Sequence, residues 1–269
     1  NTHIRLIQTA HELARTSAER EAVNRELEVA RGIQMSVLPT QFLSDRTAFD
    51  LYAVMEPARM VGGDLYDFFF LDDHKLCIVL GDVSDKGVPA ALFMVTAKAL
   101  IKVLADRRRY HDPAALMTEL NRLLERDNPR NMFVILVIAV LDLKTGAVQY
   151  ASGGHDAPFL LAAGPKVTQA ELLYELIVGI KKGVRYHNLS LTLKPGEGLF
   201  FYTDGVTEAM NADKVPFSRE KLESTIAHLA DEPARNIVEG IMSEIKAFAG
   251  HHPQSDDITM LMVRYQGDC

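Results

Sequence analysis

Cysteine is scarce. Cys77 lies inside an apolar run and Cys269 is the last residue, so neither a disulfide framework nor a zinc-binding spacing can be built, and a reducing compartment is the simplest reading. Basic charge is outweighed as well: 29 Lys and Arg against 36 Asp and Glu give a formal charge of −7, which argues against a nucleic-acid surface. The short cluster Arg107-Arg108-Arg109 reads as a solvated helix end. The longest apolar runs, such as Met132 to Leu141, fall far short of the roughly 20 residues that span a bilayer, and no signal peptide is visible. No direct membrane contact is therefore expected. Also missing are a nucleophile elbow, a phosphate loop ending in Gly-Lys-Ser and a cysteine in a basic phosphate-binding turn. The nine histidines are scattered, with no zinc-like pair at fixed spacing.

What remains is a chain of 269 residues, 48% hydrophobic, long enough for one large domain with an appendage. It begins with Asn1, and a sensor or membrane-attached segment upstream is an expectation; the chain itself is expected to be cytoplasmic. Residues 1–38 carry one glycine and no proline, and are dense in Glu, Arg, Ala and Leu, which is helix composition. Val23, Leu27, Ala30, Gln34 and Val37 form a narrow apolar stripe, with Leu6, Ala10 and Leu13 as a weaker earlier one. The heptads break at Arg20 and Asn24, so both a homodimeric coiled coil and a single helix packed on the domain fit the pattern. Leu38-Pro39 ends the helix, leaving residues 39–269 as the domain proper.

From Phe49 the texture changes to short extended runs at Asp50 to Met55, Leu65 to Leu71 and Leu76 to Val83. Helical patterns follow at 88–107 and 113–126, the second opened by Asp112-Pro113 as cap and first-turn proline. Strands are expected at Met132 to Leu141 and Ala147 to Ser152 around a hairpin turn at Asp142 to Gly146, and again at Pro158 to Ala162, Leu189 to Leu193 and Leu199 to Thr203. Helices near 219–229 and 233–249 precede a closing strand at Ile258 to Tyr265. Strands and helices come in clusters, which points to an α+β sandwich and not to regular βαβ alternation.

The chemistry is carried by aspartates at the edges of apolar runs: Gly62-Gly63-Asp64, Gly81-Asp82, Thr203-Asp204-Gly205 and Ser255-Asp256-Asp257. One such aspartate is most simply a turn or cap residue. Four that converge would repel one another, and the motifs hold no matching set of basic residues. A divalent cation resolves that repulsion, and all-oxygen ligands suit Mg²⁺ or Mn²⁺. Two such ions about 3.5–4 Å apart can activate a bridging water for in-line attack on a phosphoryl group, with no protein nucleophile.

The series Ala30 to Pro39, Pro57-Ala58-Arg59-Met60-Val61-Gly62-Gly63-Asp64-Leu65-Tyr66-Asp67, Gly81-Asp82-Val83-Ser84-Asp85-Lys86-Gly87-Val88-Pro89-Ala90-Ala91, Tyr202-Thr203-Asp204-Gly205-Val206-Thr207-Glu208-Ala209 and Ser255-Asp256-Asp257-Ile258-Thr259 resembles the SpoIIE-type branch of the metal-dependent (PPM) serine/threonine phosphatases. The resemblance runs from about residue 28 to 265. It implies a four-layer α-β-β-α sandwich with a two-metal site of Mn²⁺ or Mg²⁺ between the sheets. Asp82 would bridge both ions, the Val83 carbonyl would ligate one, Asp64 would hold the ions through its carboxylate or their waters, and Asp204 and Asp256 would complete the other position. Turnover would then depend first on Asp82 and Asp64. Asp67 and Asp257 are expected as supporting acceptors or caps. Asp85 replaces a glycine usual in the family, and a third ion, a helix cap or no role are all open to it, the cap being the simplest. His155 of Gly153-Gly154-His155 reads as structural. Arg59 fits either a substrate phosphate or a salt bridge. Glu175 to Ile180 and Asp213 to Ser218 depart from the family pattern in segments that bear on substrate preference.

The implied activity is hydrolysis of phosphoserine or phosphothreonine on a phosphorylated STAS-type anti-sigma-factor antagonist in bacterial partner-switching signalling. A catalytically weak regulatory module of the same fold is the alternative. A phosphodiesterase or nuclease is disfavoured by the charge.

Overall fold

The computed structural model describes residues 2–41, 47–106, 112–126, 128–162, 164 and 166–267, with side chains from residue 15 onward. The Arg107-Arg108-Arg109 cluster, the side chains of the Leu6-Ala10-Leu13 stripe and Cys269 lie outside the described residues. Two compact units are present, residues 1–37 and 38–269. The first is one helix, α1 (Thr2–Val37), in which Val23, Val29 and Ile33 are exposed and Arg15 pairs with Glu19 one turn on at 2.9 Å.

The second unit runs β1 (Phe49–Glu56), β2 (Leu65–Phe70), β3 (Lys75–Val83), α2 (Val88–Asp106), α3 (Pro113–Arg126), β4 (Val134–Asp142), β5 (Ala147–Gly153), β6 (Phe159–Leu161), β7 (Val167–Gln169), β8 (Leu189–Thr192), β9 (Gly198–Tyr202), α4 (Asp204–Thr207), α5 (Arg219–His228), α6 (Ala234–Ala249) and β10 (Ile258–Tyr265). Two antiparallel sheets result, one ordered β1-β10-β9-β6-β7 and the other β2-β3-β4-β5-β8. Alternation along β3 sends Cys77, Val79 and Val83 into the core shared with α2 and α3, through Met94, Ile101, Leu116 and Leu120. Phe200, Tyr202, Met260 and Met262 of the other sheet pack instead beneath α5 and α6, on Leu222, Ile226, Ile237 and Ile241. Leu76, Ile78 and Leu80, together with Leu199, Phe201, Leu261 and Val263, are buried on the opposite strand faces. Helices thus cover the outer face of each sheet, giving the α-β-β-α layering.

Local chemistry fixes the element ends. Asp142 Oδ1 accepts the Lys144 and Thr145 amides at 3.0 and 3.1 Å, and Gly146 at φ 71° closes the β4–β5 hairpin. Asp112 Oδ1 takes the Ala115 amide at 2.8 Å and caps α3 ahead of Pro113. Two expectations need correction. By length and composition α2 is apolar enough to cross a bilayer, contrary to the reading that every apolar stretch is too short. It is nevertheless a core helix, with Ala90, Met94, Ala97, Lys98, Ile101 and Leu104 among its buried residues at three- and four-residue steps. Asp85 does not cap α2: its Oδ1 accepts the adjacent Lys86 amide at 3.0 Å from a left-handed backbone (φ 76°), outside the helix.

Candidate functional site

Asp64 closes the loop before β2 and is only 1% exposed. Its Oδ2 accepts hydrogen bonds from Thr203 Oγ1 at 2.7 Å and Thr259 Oγ1 at 2.5 Å. Thr203 follows β9 and Thr259 lies on β10, so two hydroxyls of one sheet pin a carboxyl that enters the other. Asp82 is the penultimate residue of β3 and faces Asp64 closely enough to hydrogen-bond it. Burial, then the charges of Asp82 and Asp257, raise Asp64 well above the usual carboxylate range. Burial, then Asp204 and Asp256, push Asp82 up to about 7. Two carboxyls this close and this poorly solvated disfavour each other's charged form, so double ionisation is costly without a counter-ion.

Asp204, the first residue of α4, is also raised, by burial and then by Glu208 and Asp256. It lines, with Asp82, Ile135, Gly154, His155, Asp156, Tyr202 and Thr203, a cleft of about 190 Å³. The Val83 carbonyl lies behind Gly63, where a Cβ would stand 2.9 Å from it and 3.4 Å from Asp82 Oδ1. A glycine is therefore required at 63 for the two motifs to meet. Asp256, at the start of the loop into β10, places Oδ2 2.6 Å from Lys86 Nζ and Oδ1 2.9 Å from the Asp257 amide.

The neighbouring aspartates have other work. Asp257 is buried, its Oδ1 taking the Ala58 amide at 2.8 Å and its Oδ2 the Gly63 amide at 2.6 Å. It organises the loop that delivers Asp64, and the Asp257 carbonyl leaves no room for a Cβ at Gly205. Asp67 turns away into a buried ion pair with Lys98 of α2, with Lys102 3.5 Å from the same oxygen. Asp85 is exposed, as is Arg59. His155 Nδ1 lies 2.8 Å from the Asp156 carbonyl, which fixes the proton on Nδ1 and leaves Nε2 as a bare, buried acceptor. Burial lowers its pKa, which disfavours the charged ring. Ser152 Oγ donates to the His155 carbonyl at 2.8 Å and accepts its amide at 3.1 Å, so the residue also shapes the turn after β5.

The structure thus gathers Asp64, Asp82, Asp204 and Asp256 into one electrostatic cluster with the Val83 carbonyl beside it. Among the described residues no three acidic, histidine or cysteine side chains close on a single point as a finished metal shell. The donors nevertheless fit a hard divalent cation: all are oxygens, and three of the carboxyls are raised by burial and by one another, a cost that bound positive charge removes. Sequence reasoning overlooked Thr203, Thr259 and Lys98. The two threonines stood inside quoted motifs, and Lys98 was a lone charge in an otherwise apolar helix stripe.

A family described as Stage II sporulation protein E (SpoIIE) matches residues 72–266, a span that holds Asp82, Asp204 and Asp256 but not Asp64. Protein IcfG of Synechocystis is 32% identical over 281 residues, 91% of this chain but 42% of IcfG. The phosphoserine phosphatase RsbU of Bacillus subtilis is 26% identical over 247 residues, 91% of this chain and 71% of RsbU. The solved SiaA-PP2C domain of Pseudomonas aeruginosa superposes with a TM-score of 0.82 at 22% identity, over 92% of this chain and 99% of that domain. The chain thus spans less than half the length of IcfG.

Proposed function

Because the chain belongs to the SpoIIE family and has the fold of PP2C phosphatase domains, we propose that it is a Mg²⁺- or Mn²⁺-dependent phosphoprotein phosphatase acting on phosphoserine or phosphothreonine. The observation that carries this reading is the convergence of Asp64, held by Thr203 and Thr259, on Asp82, whose pKa is pushed up by burial and then by Asp204 and Asp256. Asp82, Asp64 and the Val83 carbonyl would hold one ion, and Asp82, Asp204 and Asp256 the other. When bound, the ions supply an activated water and a charge clamp for the phosphoryl oxygens. The chain's own part is positional. Thr203 and Thr259 hold the Asp64 carboxyl in one orientation, Asp257 fixes the loop that carries it, and Lys86 balances Asp256. No Ser, Cys or His nucleophile is needed.

The substrate in this proposal is a phosphorylated STAS-type anti-sigma-factor antagonist in a cytoplasmic partner-switching pathway, supported by the similarity to the phosphoserine phosphatase RsbU. A homodimer through α1 belongs to the same proposal, on the strength of its exposed Val23, Val29 and Ile33. The second reading, a regulatory module with weak turnover, draws on the absence of a closed shell among the described side chains. Phosphate release from a phosphoserine protein and from an aryl phosphate, with and without Mn²⁺, decides between them. The phosphatase reading expects metal-dependent release from both, abolished in Asp82→Asn with the fold intact. Specific binding of the phosphoprotein without release would leave the module, and an Asp82→Asn variant of parental activity would remove the two-ion assignment.

A further inference from the structure

Asp256 already has a cation, and it comes from this chain. Lys86 Nζ sits 2.6 Å from Asp256 Oδ2 and 2.7 Å from the Ser255 carbonyl, so two of its three N–H donors are spent on a carboxylate and a carbonyl. Those are the oxygen types that a hard divalent ion recruits. The placement is built, not incidental. Asp85 and Gly87 both adopt left-handed backbone (φ 76° and 79°), and the tight turn they make after β3 throws Lys86 back across the cleft to a loop 170 residues later in the chain. Asp85 Oδ1 grips the Lys86 amide at the centre of that turn. Glycine would adopt φ 76° without strain; an aspartate there is held by the turn it stabilises. The ion pair is half-open, with side-chain exposures of 39% for Lys86 and 25% for Asp256, so solvent cations can reach it.

With Lys86 Nζ 2.6 Å from Asp256 Oδ2, an ammonium and a divalent cation at that oxygen repel each other at contact range and so compete for it. We propose that Lys86 is a tethered counter-ion for the Asp256 position, holding the carboxylate until a divalent cation displaces it, and so making that position the weaker of the two. This rests on the metal-dependent reading above. It also gives a reason why the cluster is not a closed shell: one of its carboxylates is turned toward the lysine. On binding, the displaced ammonium is released to solvent at the rim of the cleft.

Calorimetric titration of the metal-free protein with Mn²⁺ tests the idea in the parent, Lys86→Met and Lys86→Arg, with circular dichroism to verify folding. Removing one charge and a half-exposed ion pair at contact range is expected to tighten the weaker class of sites by roughly three- to tenfold in Lys86→Met. Lys86→Arg, which keeps the charge, should bind as the parent does. Lysine acylation read by mass spectrometry gives a second readout: saturation with Mn²⁺ should raise labelling of Lys86 roughly severalfold, while exposed Lys182 stays constant. Unchanged or weaker binding in Lys86→Met, or a Lys86 that stays protected in the saturated parent, would overturn the proposal while leaving the metal centre standing. Failure of all three proteins to bind Mn²⁺ would overturn both the centre and the counter-ion.

Discussion

The buried pair Asp67–Lys98 offers the most demanding test of the energetics. Asp67 lies three residues after Asp64 on β2, and Lys98 lies on α2, the helix that follows β3. Their side chains are 1% and 4% exposed, so water compensates neither charge; Asp67 has the Phe68 amide and Lys102 besides Lys98. Breaking a buried pair from one side typically costs about 3–5 kcal/mol, because the remaining charge is left without water or counter-ion. The two single variants should not be equal. In Lys98→Met the carboxylate keeps Lys102, whose Nζ is 3.5 Å from Asp67 Oδ2, 5.4 Å from the Phe69 ring centroid, and on a side chain 51% exposed. In Asp67→Val the ammonium of Lys98 keeps no such replacement, and burial, already the main influence lowering its pKa, acts unopposed. We therefore expect a loss of about 2 kcal/mol for Lys98→Met and about 4 kcal/mol for Asp67→Val, with the double variant recovering most of it by replacing the pair with apolar surface. Urea denaturation of the four proteins in one buffer, at constant m-value, closes the cycle. Singles within about 0.5 kcal/mol of the parent, or a double variant as unstable as the sum of the singles, would refute the assignment of a coupled, desolvated pair.

Asp256→Asn and Asp257→Asn should separate cleanly. Asp257 accepts two amides on opposite oxygens, so an Asn turns an N–H donor toward one of them and costs about 1–3 kcal/mol in denaturant; Asp256→Asn should leave stability nearly unchanged and instead weaken Mn²⁺ binding in calorimetry. The stability of the metal-free protein should also depend on pH in a defined sense. Asp82 is raised from 3.8 to about 7 on folding, so folding favours its protonated form; this contribution is fully present near pH 4 and is lost as pH rises through about 7. Thermal melts in EDTA should therefore show a higher Tm at pH 5.5 than at pH 8, and saturating Mn²⁺ should flatten the difference. A Tm that climbs from pH 5.5 to pH 8 without metal would contradict the raised pair.

Much of this architecture is written locally. The apolar runs that became β3, β4, β9 and β10 are long and bounded by turn chemistry, and an aspartate at the end of such a run marks the cleft because strand ends are where a sheet sandwich opens. The segments that sequence reading passed over are those without a period. β7 is three residues at a sheet edge with one partly buried position, and α4 is a single turn. The roles of Asp256 and Asp257 were harder to tell apart, since adjacent identical residues differ only in which side of the chain they face, and that is decided by the loop at 58–64, nearly two hundred residues away. Lys98 was invisible as a partner for the same reason: its counter-charge sits on another element, and helix periodicity alone assigns the position to the core. The apolar length of α2 misled in the opposite direction, because composition does not distinguish a helix wrapped in protein from one wrapped in lipid.

The bonds between Asp64 and Thr259, and between Asp257 and the 58–64 loop, span 195 and 193–199 residues of chain. Closing a loop of that size is entropically slow compared with forming the hairpins and helices inside it. During synthesis β1, β2 and β3 emerge long before β10, so the first half of the acidic cluster must wait, exposed, for its last two members and for the hydroxyls that orient it. A ribosome-bound chain truncated before residue 257 would hold Asp64 and Asp82 without the Thr259 clasp or the Asp257 anchor. The order of translation thereby withholds the assembled cluster until nearly the whole domain has been made, so a prematurely terminated product would lack the centre altogether.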